Sequence, residues 1–451
     1  MTAIAPARGT RLRGSDVVAV LAAQAAVIAV IWIVHGGPDQ LTEGPAGILT
    51  AIGQVTALYG TYLALIQLVL MSRSPWLEET FGMDGLAVAH RWLGFTTVWL
   101  LLAHGIATTI GYALSDRVNV VQEFLTLITT YPYVLMATVS GGLFALVAVT
   151  SVKAARRKLA YETWYGLHLY AYLAIALGFL HQLFVGADFM HDQLAAIYWI
   201  LLYLATAALV LAFRIGQPIR TSIRHRLRVA NVIREGPGVV SLYLTGRALD
   251  ELSVRAGQYF LWRFLTADGW WRSHPYSISA APNGEWLRIT VKDLGDGSRD
   301  LAQVPIGTRV MVEGPYGILT DVKRTKPGVL LIAGGIGITP LRALLEALPA
   351  RPGEITLLYR ARRPQDVIFR DELDILARRR GIAVHYLIGQ RGSLALPRDP
   401  LDARGIVTLV PDVLERDVYV CAPAPMMRST ERALRDLGVP RRQVHAERFA
   451  Y

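Results

Sequence analysis

Residues 86–112 read LAVAHRWLGFTTVWLLLAHGIATTIGY, and residues 164–187 read WYGLHLYAYLAIALGFLHQLFVGA. Each stretch is long and apolar enough to cross a bilayer as a helix, which takes about 20 residues. Each carries two histidines, His90 and His104 in the first and His168 and His181 in the second. Ionisable side chains are costly inside a bilayer and need a reason to be there. At about 1.5 Å per residue, each pair is separated by about 20 Å along its helix. Two histidines on each of two helices, at matching depths, can make two bis-imidazole sites, one near each leaflet. Imidazole is a usual axial ligand of haem iron. The competing reading is four core histidines bonded to backbone carbonyls. The first spacing falls about 40° short of whole helical turns and the second about 140° short. The haem reading therefore requires the second of these helices to tilt or distort, with Gly178 as the candidate position.

Four further stretches qualify as spans, near 17–34, 46–71, 133–152 and 194–213, which makes the histidine-bearing segments the third and fifth of six. The first is expected to be a span rather than a cleaved leader, because it is long and lacks a small-residue cleavage site. Basic residues flank alternate ends. Arg8, Arg11 and Arg13 precede the first span; Lys153, Arg156, Arg157 and Lys158 follow the fourth; Arg214, Arg220, Arg224, Arg226 and Arg228 follow the sixth. The intervening loops carry Asp39 and Glu43, or Asp188 and Asp192. The positive-inside rule then puts both termini in the cytoplasm of a multi-pass cell-membrane protein. The third and fifth spans run the same way, so His90 pairs with His168 near the cytoplasm and His104 with His181 near the outer face. Gln24, Gln54 and Gln67 are expected to make interhelical hydrogen bonds. Trp76, Trp92 and Trp99 fit an interfacial belt or haem packing equally well.

The chain has 451 residues, 53% of them hydrophobic and 18% charged, which excludes a disordered or collagen-like sequence. Most of the charge lies beyond Arg214, so a membrane half precedes a soluble half. The net charge of +11 fits the cytoplasmic side of a membrane protein rather than nucleic-acid binding. Cys421 is the only cysteine, which excludes disulfides, thiolate iron–sulfur clusters and cysteine-based zinc sites.

Beyond about residue 222 the pattern turns to short strands. Segments 226–234, 239–247, 258–264, 275–280, 286–293 and 308–313 suggest a small antiparallel barrel. Val329–Ala333 then reads as a buried strand leading into Gly334-Gly335-Ile336-Gly337-Ile338-Thr339-Pro340 and a helix. Strand candidates 354–360, 382–388 and 417–422 alternate with helical segments, as in a parallel α/β sheet. Glycines let backbone approach a pyrophosphate, and a following helix offers free N–H groups. Pro340 stands where the Rossmann fingerprint has its third glycine, so that fingerprint is not met. In the barrel, His274-Pro275-Tyr276-Ser277, Lys292 and Gly297-Ser298 at an expected helix start supply an aromatic, a hydroxyl, a cation and a helix N-terminus. These are groups that a flavin ring and its diphosphate need, although each has an ordinary strand or cap explanation.

Together these residues resemble the ferric reductase and NADPH oxidase superfamily. The likeness runs over nearly the whole chain. It implies a six-helix transmembrane haem bundle (1–220), an antiparallel β-barrel FAD domain (221–322) and an α/β parallel-sheet NAD(P)-binding domain (323–451). It implies two b-type haems held by His90, His104, His168 and His181. It implies FAD on His274, Pro275, Tyr276, Ser277, Lys292, Gly297 and Ser298, with Phe449 or Tyr451 near the chain end covering the flavin. It implies NAD(P)H at Gly334, Gly335, Gly337, Thr339 and Pro340, with Cys421 and Pro423 of a Cys-Gly-Pro-type segment beside the nicotinamide. Ala422 departs from the glycine of that pattern. The strand 354–359 runs into Arg360-Ala361-Arg362-Arg363, and guanidiniums there suit the 2′-phosphate of NADPH, whereas an acidic residue would suit NADH. The implied activity moves electrons from cytoplasmic NADPH, with NADH the alternative, through FAD and the haems to a small outer-face acceptor, oxygen or a ferric chelate. A quinone or a partner protein is the alternative acceptor. A reading from another class is a six-helix channel or transporter with a regulatory nucleotide-binding domain.

Overall fold

The computed structural model describes residues 13–186, 189–190, 192–390, 392 and 398–447. The chain forms two compact units that divide between Arg214 and Ile215.

The first unit holds six helices long and apolar enough to cross a membrane. They run over Gly14–Val34, Gly44–Leu70, Pro75–Asp116, Val134–Ser151, Tyr161–Val185 and Gln193–Val210. The third begins well before the apolar stretch does. Pro75 opens it, where a missing N–H costs nothing, and it kinks at Gly82, whose φ of 71° is one that only glycine adopts cheaply. The fifth helix runs unbroken through Gly178, so the expected distortion there is not found. The segment between the third and fourth helices contains the helix Val120–Thr130. Asn119 caps it by accepting the Gln122 N–H at 2.8 Å.

Polar side chains join the helices where lipid could not satisfy them. Trp32 Nε1 donates to Gln54 Oε1 at 3.1 Å, the Tyr62 hydroxyl reaches Gln24 Oε1 at 3.3 Å, and Gln67 Nε2 donates to Thr97 Oγ1 at 2.9 Å. All three glutamines thus act between helices. The second and third helices pack closely because glycine allows it. A Cβ at Gly53 would stand 2.3 Å from Thr108 Oγ1, and one at Gly111 2.8 Å from Thr50 Oγ1.

The second unit opens with six strands: β1 (Arg228–Gly236), β2 (Val239–Thr245), β3 (Tyr259–Phe264), β4 (His274–Ser277), β5 (Trp286–Lys292) and β6 (Val310–Tyr316). They form two antiparallel sheets, β1-β2-β5 and β4-β3-β6. Single bridges at Arg228↔Arg309 and Ile278↔Ile289 join the two sheets at both edges and close the barrel. Alternation along β3 puts Phe260, Trp262 and Phe264 inside.

Five parallel strands follow: β7 (Gly328–Gly334), β8 (Ile355–Ala361), β9 (Ala383–Ile388), β10 (Arg416–Cys421) and β11 (Val444–Glu447). Their order is β11-β10-β7-β8-β9. From β7 the chain winds outward through β8 and β9, then returns to the other side through β10 and β11. The winding reverses between β7 and β10, and ligands of open α/β sheets bind at the carboxyl ends of such strands. The barrel interior and one face of the parallel sheet share a continuous apolar core.

Candidate functional site

The four histidines occupy the third and fifth helices at two levels. The ring centroids of His90 and His168 are 5.9 Å apart. Two imidazoles on either side of one metal need about 6.4 Å, from two bonds of about 2 Å and two ring radii. At the other level, His104 and His181 lie close enough to interact electrostatically. His104 Nδ1 is 2.9 Å from the Gly53 carbonyl oxygen, with Thr108 Oγ1 at 3.3 Å. A carbonyl only accepts, so Nδ1 carries the proton and Nε2 keeps a free lone pair. His168 stacks on Trp164 at 5.1 Å, and the Arg156 guanidinium lies 4.6 Å from that indole ring. The His90 and His181 imidazoles each face a backbone group of a neighbouring segment, at Gln67 and Tyr133 respectively. Trp92 and Trp99 are 68% and 67% exposed, so neither packs between helices.

This donor set fits haem better than a bare ion. Two nitrogens per site are too few for a structural metal ion, which takes about four ligands. Among the described residues, no group of three or more His, Cys, Asp or Glu could hold one. Two axial positions are what a haem iron leaves for protein.

In the barrel, β4 pairs with β3 so that Tyr276 faces Phe260 and Ser277 faces Tyr259. Trp262 Nε1 donates to the Tyr276 carbonyl at 2.7 Å and fixes the strand. His274 and Tyr276, two residues apart on one face, stack at 5.8 Å and an interplanar angle of 25°, with Pro275 between them in sequence. The Ser277 hydroxyl is buried and makes no hydrogen bond. An aromatic face beside an unsatisfied buried hydroxyl suits a flat ring that carries hydrogen-bonding edges. Lys292 ends β5 and lines a cleft with Gly335, Ile336, Arg363 and Asp366. Gly297 and Ser298 lie in the short helix Asp296–Arg299, which runs directly into the 3-10 turn Asp300–Gln303, so a helix start stands where it was expected. The Ser298 hydroxyl is used locally, donating to the Gly295 carbonyl and accepting from the Leu294 N–H, both at 2.8 Å. Phe449 and Tyr451 lie outside the described residues.

The glycine turn follows β7 directly, and Cys421 lies in register with Ala333 on the neighbouring strand. The turn and the Cys421-Ala422-Pro423 segment are therefore adjacent at the switch point. A Cβ at Gly337 would stand 2.1 Å from the Cys421 carbonyl oxygen, and one at Gly334 2.8 Å from the Ala422 Cβ. The alanine is thus accommodated by glycine at 334. Gly335 has φ 55° and open space around its Cα. Thr339 Oγ1 donates to the Ile336 carbonyl at 3.0 Å, closing the turn, and Pro340 lies buried in the first turn of the helix Ile338–Ala347. Burial, with the nearby Glu447 charge, pushes the Cys421 thiol well up, so it stays protonated.

The three arginines after β8 separate. Arg360 is tied to the backbone carbonyls of Leu387, at 2.9 Å, and of Gly389 and Ala361. Arg362 is exposed. Arg363 pairs with Asp366 at 3.0 Å.

Comparison with known proteins agrees with this layout. Residues 56–179 match the family described as ferric reductase like transmembrane component, residues 225–320 an FAD-binding domain, and residues 331–432 an oxidoreductase NAD-binding domain. The chain has the ferric reductase/NADPH oxidase-type architecture. The FAD-binding and NAD-binding domains matched are ones that NAD(P)H-dependent oxidoreductases use. Among curated relatives it is 29% identical to the glycine betaine monooxygenase reductase subunit of Chromohalobacter salexigens, over 51% of this chain and 65% of that one. It is 32% identical to the ferredoxin reductase component of the 3-ketosteroid-9-alpha-monooxygenase of Mycolicibacterium smegmatis, over 49% and 65%. It is 35% identical to a flavohemoprotein of Pseudomonas aeruginosa, over 50% and 58%. The chain thus spans 58–65% of the length of these relatives.

Sequence reasoning missed one cluster in this ferric reductase-type chain. Arg288 on β5, Arg342 and Glu346 on Ile338–Ala347, and Glu372 on Arg370–Arg380 join the barrel to the parallel-sheet layer. Arg288 and Glu372 are 84 residues apart. Sequence carried no signal for it, because alternation along β5 puts Leu287, Ile289 and Val291 on one face and Arg288 on the other with Thr290 and Lys292, where a polar residue is ordinary.

Proposed function

We propose that this protein is an oxidoreductase that carries electrons from cytoplasmic NAD(P)H across the membrane to a small acceptor on the outer face, oxygen or a ferric chelate. The observation that carries the reading is the pairing of histidines between the third and fifth helices, with His90 and His168 rings 5.9 Å apart. In this reading His90 and His168 hold an inner b-type haem, and His104 and His181 an outer one. Gly53 holds His104 in the tautomer that leaves Nε2 free. Trp164 limits rotation of the His168 ring.

When bound, FAD converts a paired-electron donor into single-electron steps, which haem iron carries one at a time. His274, Tyr276 and Ser277 seat its ring on β4, while Lys292 offers a cation toward its diphosphate. Gly334, Gly335 and Gly337 let backbone approach the nicotinamide cofactor, and Cys421 and Pro423 flank the turn. Arg362, with Arg360 beside it, favours NADPH over NADH. The positive-inside distribution supports cytoplasmic termini.

Proteoliposomes given NADPH anaerobically test the whole path. The expected result is a reduced b-type haem spectrum that returns to oxidised when oxygen or ferric citrate is added outside, and the acceptor that reoxidises it identifies the substrate. Purified protein that reduces flavin with NADPH but contains no haem would sink the reading.

A further inference from the structure

We propose that Glu372 and Arg342 are positioning residues for hydride transfer. With Arg288 and Glu346 they lock the strand end after the flavin-seating residues to the helix after the glycine turn. The inference rests on the reading above that FAD sits on β4 and the nicotinamide at Gly334–Pro340.

The contacts converge on one short segment. Ser279, two residues beyond Ser277, offers its carbonyl to Arg288 at 2.8 Å and to Arg342 at 3.3 Å. Its hydroxyl accepts from Arg288 Nε at 3.1 Å. The Ala281 N–H donates to Glu346 at 2.8 Å. Glu372 in turn accepts two bonds from Arg288, at 2.8 and 3.0 Å, and pairs with Arg342 Nε at 2.9 Å. Arg342 also pairs with Glu346 one turn along its helix. Arg288 is 2% exposed and lies 4.6 Å from the Phe369 ring.

Cohesion alone does not call for this arrangement. Burying charge costs desolvation, and apolar side chains of similar volume usually hold a core as well. Bidentate guanidinium–carboxylate bonds add direction. Direction matters here because hydride passes only between closely set rings, and a displacement of about 1 Å can cost on the order of a hundredfold in rate. One ring would rest on the strand that leads to Ser279, and the other on the turn that starts the Arg342 helix.

The test uses the full chain in nanodiscs, loaded with FAD, with anaerobic stopped-flow reduction of flavin over a range of NADPH concentrations. Glu372→Gln removes the charge both arginines share. Arg342→Met leaves the Arg288–Glu372 pair intact and covers the case in which the first variant does not fold. In at least one variant the limiting rate should fall by about tenfold to a hundredfold. FAD content and half-saturating NADPH should stay near wild type, and the isotope effect with 4-deuterated NADPH should rise. A limiting rate unchanged in every folded variant, or reduced only in proportion to lost FAD, would overturn the proposal. Wild-type flavin that NADPH does not reduce would instead overturn the functional reading, and this inference with it.

Discussion

The Nδ1 of His104 lies 2.9 Å from the carbonyl oxygen of Gly53, across the packed face between the second and third helices. That bond exists because residue 53 has no side chain. A Cβ there would sit 2.3 Å from Thr108 Oγ1, and Thr108 itself stands 3.3 Å from the same imidazole nitrogen. Helix packing and the orientation of a proposed ligand are therefore one feature.

Gly53→Ala should separate the two helices locally, at a cost of about 1–3 kcal/mol for overpacking. His104 should lose its orienting bond. The expected result is protein that keeps the haem at His90 and His168 and loses most of the one at His104 and His181. Haem content per chain, read as the pyridine haemochrome, should fall toward half. Adding Thr108→Ala removes the clashing oxygen and should restore part of the loss.

Ser277→Ala should act in opposite directions with and without flavin. Its buried hydroxyl has no partner in the protein, and an unsatisfied buried polar group costs about 1–3 kcal/mol. FAD-free protein should therefore melt at the same or a higher temperature. FAD-loaded protein loses a hydrogen bond and should bind FAD up to about tenfold more weakly. Thermal melting with and without FAD, together with FAD titration, reads both signs. A fall in melting temperature in both states would assign Ser277 to packing alone.

Arg360 and Arg362 read alike in sequence and differ in space. Arg362→Ala should raise the NADPH Michaelis constant by about one to two decades, the worth of one charge-assisted contact, with little change for NADH. Arg360→Ala should also lower the melting temperature, because its guanidinium serves the Leu387 and Gly389 carbonyls. Equal losses for both cofactors in Arg362→Ala would mean that Arg362 does not meet the phosphate.

The histidine pairs, the alternating barrel strands and the glycine turn were legible because each breaks a strong local expectation. An ionisable residue in a span is rare, strict alternation is a strand signature, and closely spaced glycines after a buried strand mark a turn. What stayed hidden depends on distant partners. Arg288 gives no sign in sequence that Glu372 lies opposite it. Nothing near Gly53 marks its carbonyl as a partner for His104. β11 is only Val444–Glu447, too short and polar to stand out. It is held by pairing with β10, and there His445 Nε2 donates to the buried Asp417 at 3.1 Å.

The last prediction concerns acid stability. Burial pushes the Glu372 carboxyl up, but the hydrogen bonds and charge of Arg288, then those of Arg342, outweigh it together and hold the group below its usual value of 4.5. A carboxyl whose folded value is depressed adds stability that is fully present above its unfolded value. That stability is lost as pH falls through the folded value. Protonation then leaves Arg288, at 2% exposure, with its charge uncompensated by Glu372. Wild-type protein should lose melting temperature below about pH 4.5, and Glu372→Gln should lack that part of the slope while starting lower at neutral pH. The two curves should approach one another as the pH drops. Melting temperature followed through release of flavin fluorescence, from pH 7 to pH 4, measures this. Parallel curves over that whole range would mean that Glu372 is not held ionised by the two arginines.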